Sequence, residues 1–148
     1  MTVGPVLSHE DRVLLAARSD PLAERDSVCL DDLAERSFPQ APGLPREMMD
    51  RFFPTTHSSG KPIRPVPVRS IEEMLMLIEA GQIVHPTIAS FLDYYPDETI
   101  VAIPIRDLPP SETALIWLTS NRSPRADAFI RAATNVLDQT TLPIRRPA

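Results

Sequence analysis

The stretch Ser70 to Pro86, S-I-E-E-M-L-M-L-I-E-A-G-Q-I-V-H-P, constrains the fold most, because it holds a helix start, a helix, a stop and an apolar run in immediate succession. Ser70 followed three residues later by Glu73 is a capping box, in which the serine oxygen accepts from an orphan amide and the glutamate reaches back to the Ser70 amide. Ile71, Met74, Leu75 and Ile78 then recur at i, i+3, i+4 and i+7, one apolar stripe at the helical period, with Glu72, Glu73 and Glu79 off it. Gly81 ends the helix, since a residue without a Cβ enters the left-handed region at little steric cost. Ile83 and Val84 are β-branched neighbours that suit a strand buried on both faces. Pro86 is predicted to stop that strand and open a second helix at its first position, with Ile88, Phe91 and Leu92 on the apolar side and Pro96 at the end.

Helix, buried strand and helix in close succession predict an α/β fold with a mixed, mostly parallel sheet flanked by helices. In such sheets ligands collect where strand carboxyl ends meet helix amino ends. His85 is therefore the polar side chain best placed to face a ligand.

At 148 residues the chain has the length of one domain, 1–148, and can bury a core without disulfides or metals. A net charge of -5 argues against a nucleic-acid surface, for which a basic face is needed. The single cysteine, Cys29, excludes an intramolecular disulfide and a multi-cysteine zinc site, which fits a reducing, cytoplasmic setting. No apolar run approaches the roughly 18 residues of a membrane span, and no cofactor is called for by any motif. Proline is unusual at 17 residues against only 4 glycines, which predicts rigid loops between short elements.

Along the chain, Val13-Leu14-Leu15-Ala16-Ala17 reads as a buried strand, and Asp20 to Asp26 as a loop. Asp31 or Asp32 is placed to cap a short helix carrying Leu33 and Ala34. Phe38 to Pro45 reads as loop, and Pro45 opens a helix through Phe52. Thr55-Thr56-His57-Ser58-Ser59 is a loop dense in hydroxyls and backbone donors, suited to an anion or small polar ligand and equally to plain solvent exposure. Ile63 to Val68 alternates apolar residues with prolines, which confines it to an extended or sheet-edge conformation. Ile100 to Ile103 and the wholly apolar Thr113 to Leu118 read as strands. Ser123 caps a last helix with Ala126, Phe129, Ile130, Ala133 and Leu137 along its apolar face, and Thr140 to Ala148 reads as a disordered tail.

These stretches, taken in order, resemble the effector-binding region of LysR-type transcriptional regulators, mainly its second lobe. The resemblance is carried by R-V-L-L-A-A-R-S-D-P-L-A-E-R at Arg12 to Arg25, S-S-G-K-P-I at Ser58 to Ile63 and V-R-S-I-E-E-M-L-M-L-I-E-A-G-Q-I-V-H-P at Val68 to Pro86. V-A-I-P-I-R-D-L-P-P-S-E-T-A-L-I-W-L at Val101 to Leu118 and the closing helix complete it. It implies one lobe of a periplasmic-binding-protein type 2 fold plus crossover strands, with Gly4 to Ala17 as first crossover, Asp20 to Ile103 as second lobe and Thr113 to Leu118 as the return. Asp20 stands where the family usually has histidine. The DNA-reading helices and most of the first lobe are not represented, so the chain reads either as an excised piece of a regulator or as a stand-alone protein reusing the fold.

The first functional expectation is therefore a small-molecule effector-binding module with ligand contacts from Thr55, Thr56, His57, Ser58, Ser59, Ile83, Val84, His85 and Pro86. Arg64 and Arg69, flanking a strand next to the cleft, are further candidates for pairing with a carboxylate effector, against the plainer reading of solvated arginines. The alternative is a small enzyme, a cyclase or isomerase, using His57 or His85 with a carboxylate such as Asp93. The partners expected are an effector and either a second copy or a missing lobe, with no direct nucleic-acid binding, membrane contact or metal. Cys29 reads as a small core residue, Met48, Met49, Met74 and Met76 as core or lobe-interface residues, and Trp117 as buried at a strand end.

Overall fold

The computed structural model describes residues 1–40, 64–121 and 123–139. The predicted helix from Pro45, the Thr55 to Ser59 loop and the tail from Thr140 lie outside those residues. The chain packs as two compact units, one from Glu10 to Ser111 and the other from Met1–His9 with Glu112–Ala148.

The larger unit is built on β2 (Arg12–Ala17), flanked by β5 (His85–Ile88) on one side and β6 (Ile100–Pro104) on the other. All six residues of β2 are buried. Its side chains alternate between two apolar layers, as the pleat requires. Leu14 and Ala16 join Leu22, Val28, Leu33, Phe38, Val84, Ile103 and Ile105 on one side. Val13 and Leu15 join Val68, Met74, Ile78, Ile83 and Ile100 on the other. Each fully buried Leu, Ile or Val contributes about 1.5 to 3 kcal/mol of transfer free energy, so this one strand anchors both layers.

Both neighbours of β2 run antiparallel to it, with Leu15 opposite His85 and Ala102. The expected mostly parallel sheet is thereby corrected. Among the described residues, the one parallel pairing of two strands joins β3 (Ser37–Gln40) to β4 (Arg64–Pro67). An unbroken apolar run marks burial on both faces, and the central strand of a short antiparallel sheet covered on both sides meets that condition as well as a parallel strand does.

Helix α1 (Ile71–Glu79) follows its sequence signals closely. Ser70 Oγ accepts from the Glu73 amide at 3.2 Å, and Met74 and Ile78 are buried with Ile71 and Leu75 packed beside them. Glu73 reaches one residue further back than a capping box requires, accepting from the Arg69 amide at 2.7 Å. Gly81, with φ of 67°, ends the helix in the left-handed region. Met76 projects outward, 69% exposed, rather than into the core.

Pro86 does not open a helix. It sits inside β5 opposite Leu14, where the lack of an amide proton is tolerated because β5 is an edge strand. The second helix shrinks to one turn, α2 (Phe91–Tyr94). Before it, the turn Leu30–Leu33 is capped by Cys29, whose amide and thiol both donate to Asp32. Cys29 is thus a half-buried cap more than a core residue. Asp20 caps the turn Pro21–Glu24 by accepting from the Leu22 amide at 2.9 Å.

In the smaller unit β1 (Thr2–Glu10) pairs with β7 (Ser111–Trp117), and Ser123 Oγ accepts from the Ala126 amide at 3.2 Å to start α3 (Pro124–Gln139). Phe129, expected on the packed side of this helix, is 64% exposed.

Candidate functional site

The candidate seam begins where α1 hands over to β5. The Val84 amide donates to the Ser37 carbonyl at 3.0 Å, which holds the segment straight before it joins β2. Ile83 and His85 then face the layer beneath α1, and Val84 and Pro86 the opposite one. All four side chains are buried, with Ile83 and Val84 each 2% exposed and His85 8%. They form a wall of packed groups.

His85 is set edge-on to Phe91, with ring centroids 5.8 Å apart and planes at 76°, and Phe91 in turn lies 5.0 Å from Tyr95. Burial in this apolar layer, with a smaller contribution from the positive charge of Arg12, pushes the imidazole down to about 4. The ring is therefore neutral at physiological pH. A general acid or base works best with a pKa near the operating pH, so this environment disfavours the proton-transfer role considered for His85. Asp93 is exposed, unlike the imidazole it was expected to assist.

Sequence reasoning missed the polar cluster at the far end of the β2/β5 pairing. Arg12, 7% exposed, spans the strand end and donates from Nε to the Thr87 carbonyl at 3.1 Å. Burial pushes the guanidinium pKa down, because removing a cation from water disfavours its charged form. Around it, the Ala89 amide donates to the Asp11 carbonyl at 3.0 Å, and the Ser90 amide to Glu10 Oε2 at 3.3 Å. The entry to β2 and the exit from β5 are sewn together by these bonds. The one available signal was an arginine directly abutting a five-residue apolar run. A cation there must either turn outward or be buried with partners.

Arg69 is exposed and lies at the start of α1, whereas the seam follows its end. Ile83, Val84, His85 and Pro86 follow one another, and the β2/β5 pairing sets Arg12 opposite Ile88, just beyond them. Thr55, Thr56, His57, Ser58 and Ser59 lie outside the described residues. Among the described residues, no cluster of three or more His, Cys, Asp or Glu side chains could hold a metal ion. Among the same residues, no helix is long and apolar enough to cross a membrane.

The fold recurs in solved structures. The effector-binding domain of QuiR, in complex with shikimate, superposes with a TM-score of 0.69 and 22% identity, over 95% of this chain and 67% of that one. The effector-binding domain of BenM with benzoate gives 0.60 and 18%, over 97% of this chain and 67% of that one. Full-length OxyR from Pseudomonas aeruginosa gives 0.66 and 19%, over 87% of this chain and 46% of that one. The chain thus spans about two thirds of the isolated effector domains and under half of the intact regulator. At these identities the likeness establishes the fold. No curated protein matches the chain. The model of the LysR substrate binding domain, however, matches residues 3–138, and the chain belongs to that family.

Proposed function

We propose that this chain is the effector-sensing part of a LysR-type transcriptional regulator and that its effector is a small organic anion held at the Arg12 end of the β2/β5 pairing. The observation that carries this reading is the buried Arg12 guanidinium, oriented through Nε by the Thr87 carbonyl. A planar guanidinium presents its donors in a rigid fork. An arriving carboxylate would offset the desolvation of the cation and match its fork geometry. The seam of Ile83, Val84, His85 and Pro86 supplies the apolar wall and the strand backbone beside it. Thr55, Thr56, His57, Ser58 and Ser59, with Arg69 at the start of α1, remain proposed contributors.

Shikimate and benzoate, the molecules bound in the QuiR and BenM domains, both carry a carboxylate, which supports the same ligand chemistry here. In an intact regulator of this kind, effector binding would favour one of two arrangements in proportion to its differential affinity for them. Such a role fits a cytoplasmic protein.

Titration of the isotope-labelled chain with benzoate and with shikimate, followed by amide NMR, tests this reading. Saturable shifts are expected at Arg12, Thr87, Ala89 and Ser90. Shifts confined to exposed positions the reading does not use, such as Phe129, or no shifts at millimolar ligand, would contradict it.

A further inference from the structure

The strand end that carries Arg12 also carries an acid, Glu10, which an anion site alone does not use. Both side chains reach across to the same stretch of chain. Arg12 Nε donates to the Thr87 carbonyl at 3.1 Å, and Glu10 Oε2 accepts from the Ser90 amide at 3.3 Å. Glu10 closes β1 and Arg12 opens β2. The chain between them stays extended, because the Asp11 carbonyl accepts from the Ala89 amide on one side and the Arg12 carbonyl from the Ile105 amide on the other. Residues two apart on such a chain share a face at a separation of about 7 Å. Glu10 and Arg12 stand in that relation, with side chains long enough to close on one small molecule.

The two charges cancel, so the pair is complementary to a ligand that carries both signs. A ligand bringing only negative charge satisfies the guanidinium and is opposed by Glu10, in a chain whose net charge is already -5. An ammonium placed beside the carboxylate turns that opposition into attraction. Glu10 is half-buried, and the long bond from the Ser90 amide is the one hydrogen bond it receives among the described residues. Of the roughly four acceptor sites of a carboxylate, most are thereby left for a ligand's donors.

We infer that the effector is an amino acid, its carboxylate on Arg12 and its ammonium on Glu10, an assignment that rests on the anion site proposed at Arg12. Glu10 is then the residue that selects for the amine. Ile88, half-buried opposite Arg12, gives the site an apolar neighbour and favours an apolar side chain on that amino acid.

Calorimetric titration of the 148-residue chain with matched pairs tests the inference. L-phenylalanine is compared with hydrocinnamate and L-leucine with isocaproate, the members of each pair differing by the ammonium alone. At least one amino acid should bind about tenfold more tightly than its deaminated partner, or better. Glu10→Gln removes the charge and keeps an acceptor for the Ser90 amide. It should bring the members of the pair within about twofold of each other and leave the circular dichroism spectrum unchanged. Asp11→Asn, which removes the same charge from the exposed neighbour, should leave the preference intact. Deaminated acids that bind as tightly as their amino acids, or a preference that survives Glu10→Gln, would overturn the assignment while the carboxylate site stands. Binding by neither member of either pair would overturn both.

Discussion

Arg12 and His85 serve the β2/β5 pairing from opposite faces of the sheet. Arg12 crosses the strand end to the Thr87 carbonyl, while His85 points into the layer beneath α1 against Phe91. The two buried polar groups thus sit in different surroundings: the cation at the strand end, bonded to a carbonyl, and the neutral imidazole within an apolar layer.

That difference predicts a pH dependence of stability. Folded His85 titrates at about 4, below its ordinary value of 6.5, so between those values the unfolded chain binds the additional proton. The stabilisation is fully present above about 6.5, declines as pH falls toward 4 and levels off below. The difference amounts to on the order of 3 kcal/mol. Urea unfolding across this range should show the decline in wild type and a flatter profile in His85→Leu. Asp32 acts in a lower window. The amide and thiol of Cys29, then Arg25, hold its carboxyl down to about 2, so its stabilisation is present above the ordinary 3.8 and lost as pH falls toward 2.

Asp20 joins two structural tasks at one carboxylate. Its side chain, 4% exposed, accepts from Arg36 Nη2 at 2.7 Å and caps the Leu22 amide at 2.9 Å. Replacing it with alanine strands a partly buried guanidinium and an amide together. Asp20→Ala should lower unfolding free energy by about 2 to 4 kcal/mol, measured by denaturant titration. Arg36→Met, which removes the cation but leaves the cap, should cost less.

Two glycines are predicted to respond differently to alanine. At Gly81 an added Cβ meets nothing within 4 Å, so the penalty comes from φ of 67° alone, about 1 kcal/mol. At Gly4 the added carbon would fall against Trp117 Cζ3 and 2.8 Å from Cη2. Gly4→Ala should therefore displace the indole and shift its fluorescence, while Gly81→Ala leaves the emission unchanged.

Much of the fold was legible because the relevant signals are local. The Ser70 cap, the Ile71, Met74, Leu75 and Ile78 stripe, Gly81 and the Ser123 cap depend on neighbours a few residues away, and each appears in the structure. Strand direction was not legible, since β2 pairs with segments about 70 and 90 residues later in the chain and burial alone does not encode polarity. Pro86 misled for a related reason: whether proline opens a helix or occupies an edge strand depends on what lies alongside, here Leu14. The candidate site was legible only as a location. His85 was expected at the carboxyl end of an Ile83–Val84 strand but begins β5 instead, and its orientation into an apolar layer and the approach of Arg12 from across the sheet are tertiary facts.

The most direct measurement is a calorimetric titration of the 148-residue chain, Arg12→Lys and Arg12→Gln with the tightest-binding carboxylate from a small panel. If the buried guanidinium recognises the anion, Arg12→Gln should lose at least tenfold in affinity, about 1.4 kcal/mol. Arg12→Lys, which keeps the charge and loses the planar fork, should fall between. Equal affinity in all three folded proteins would contradict the account.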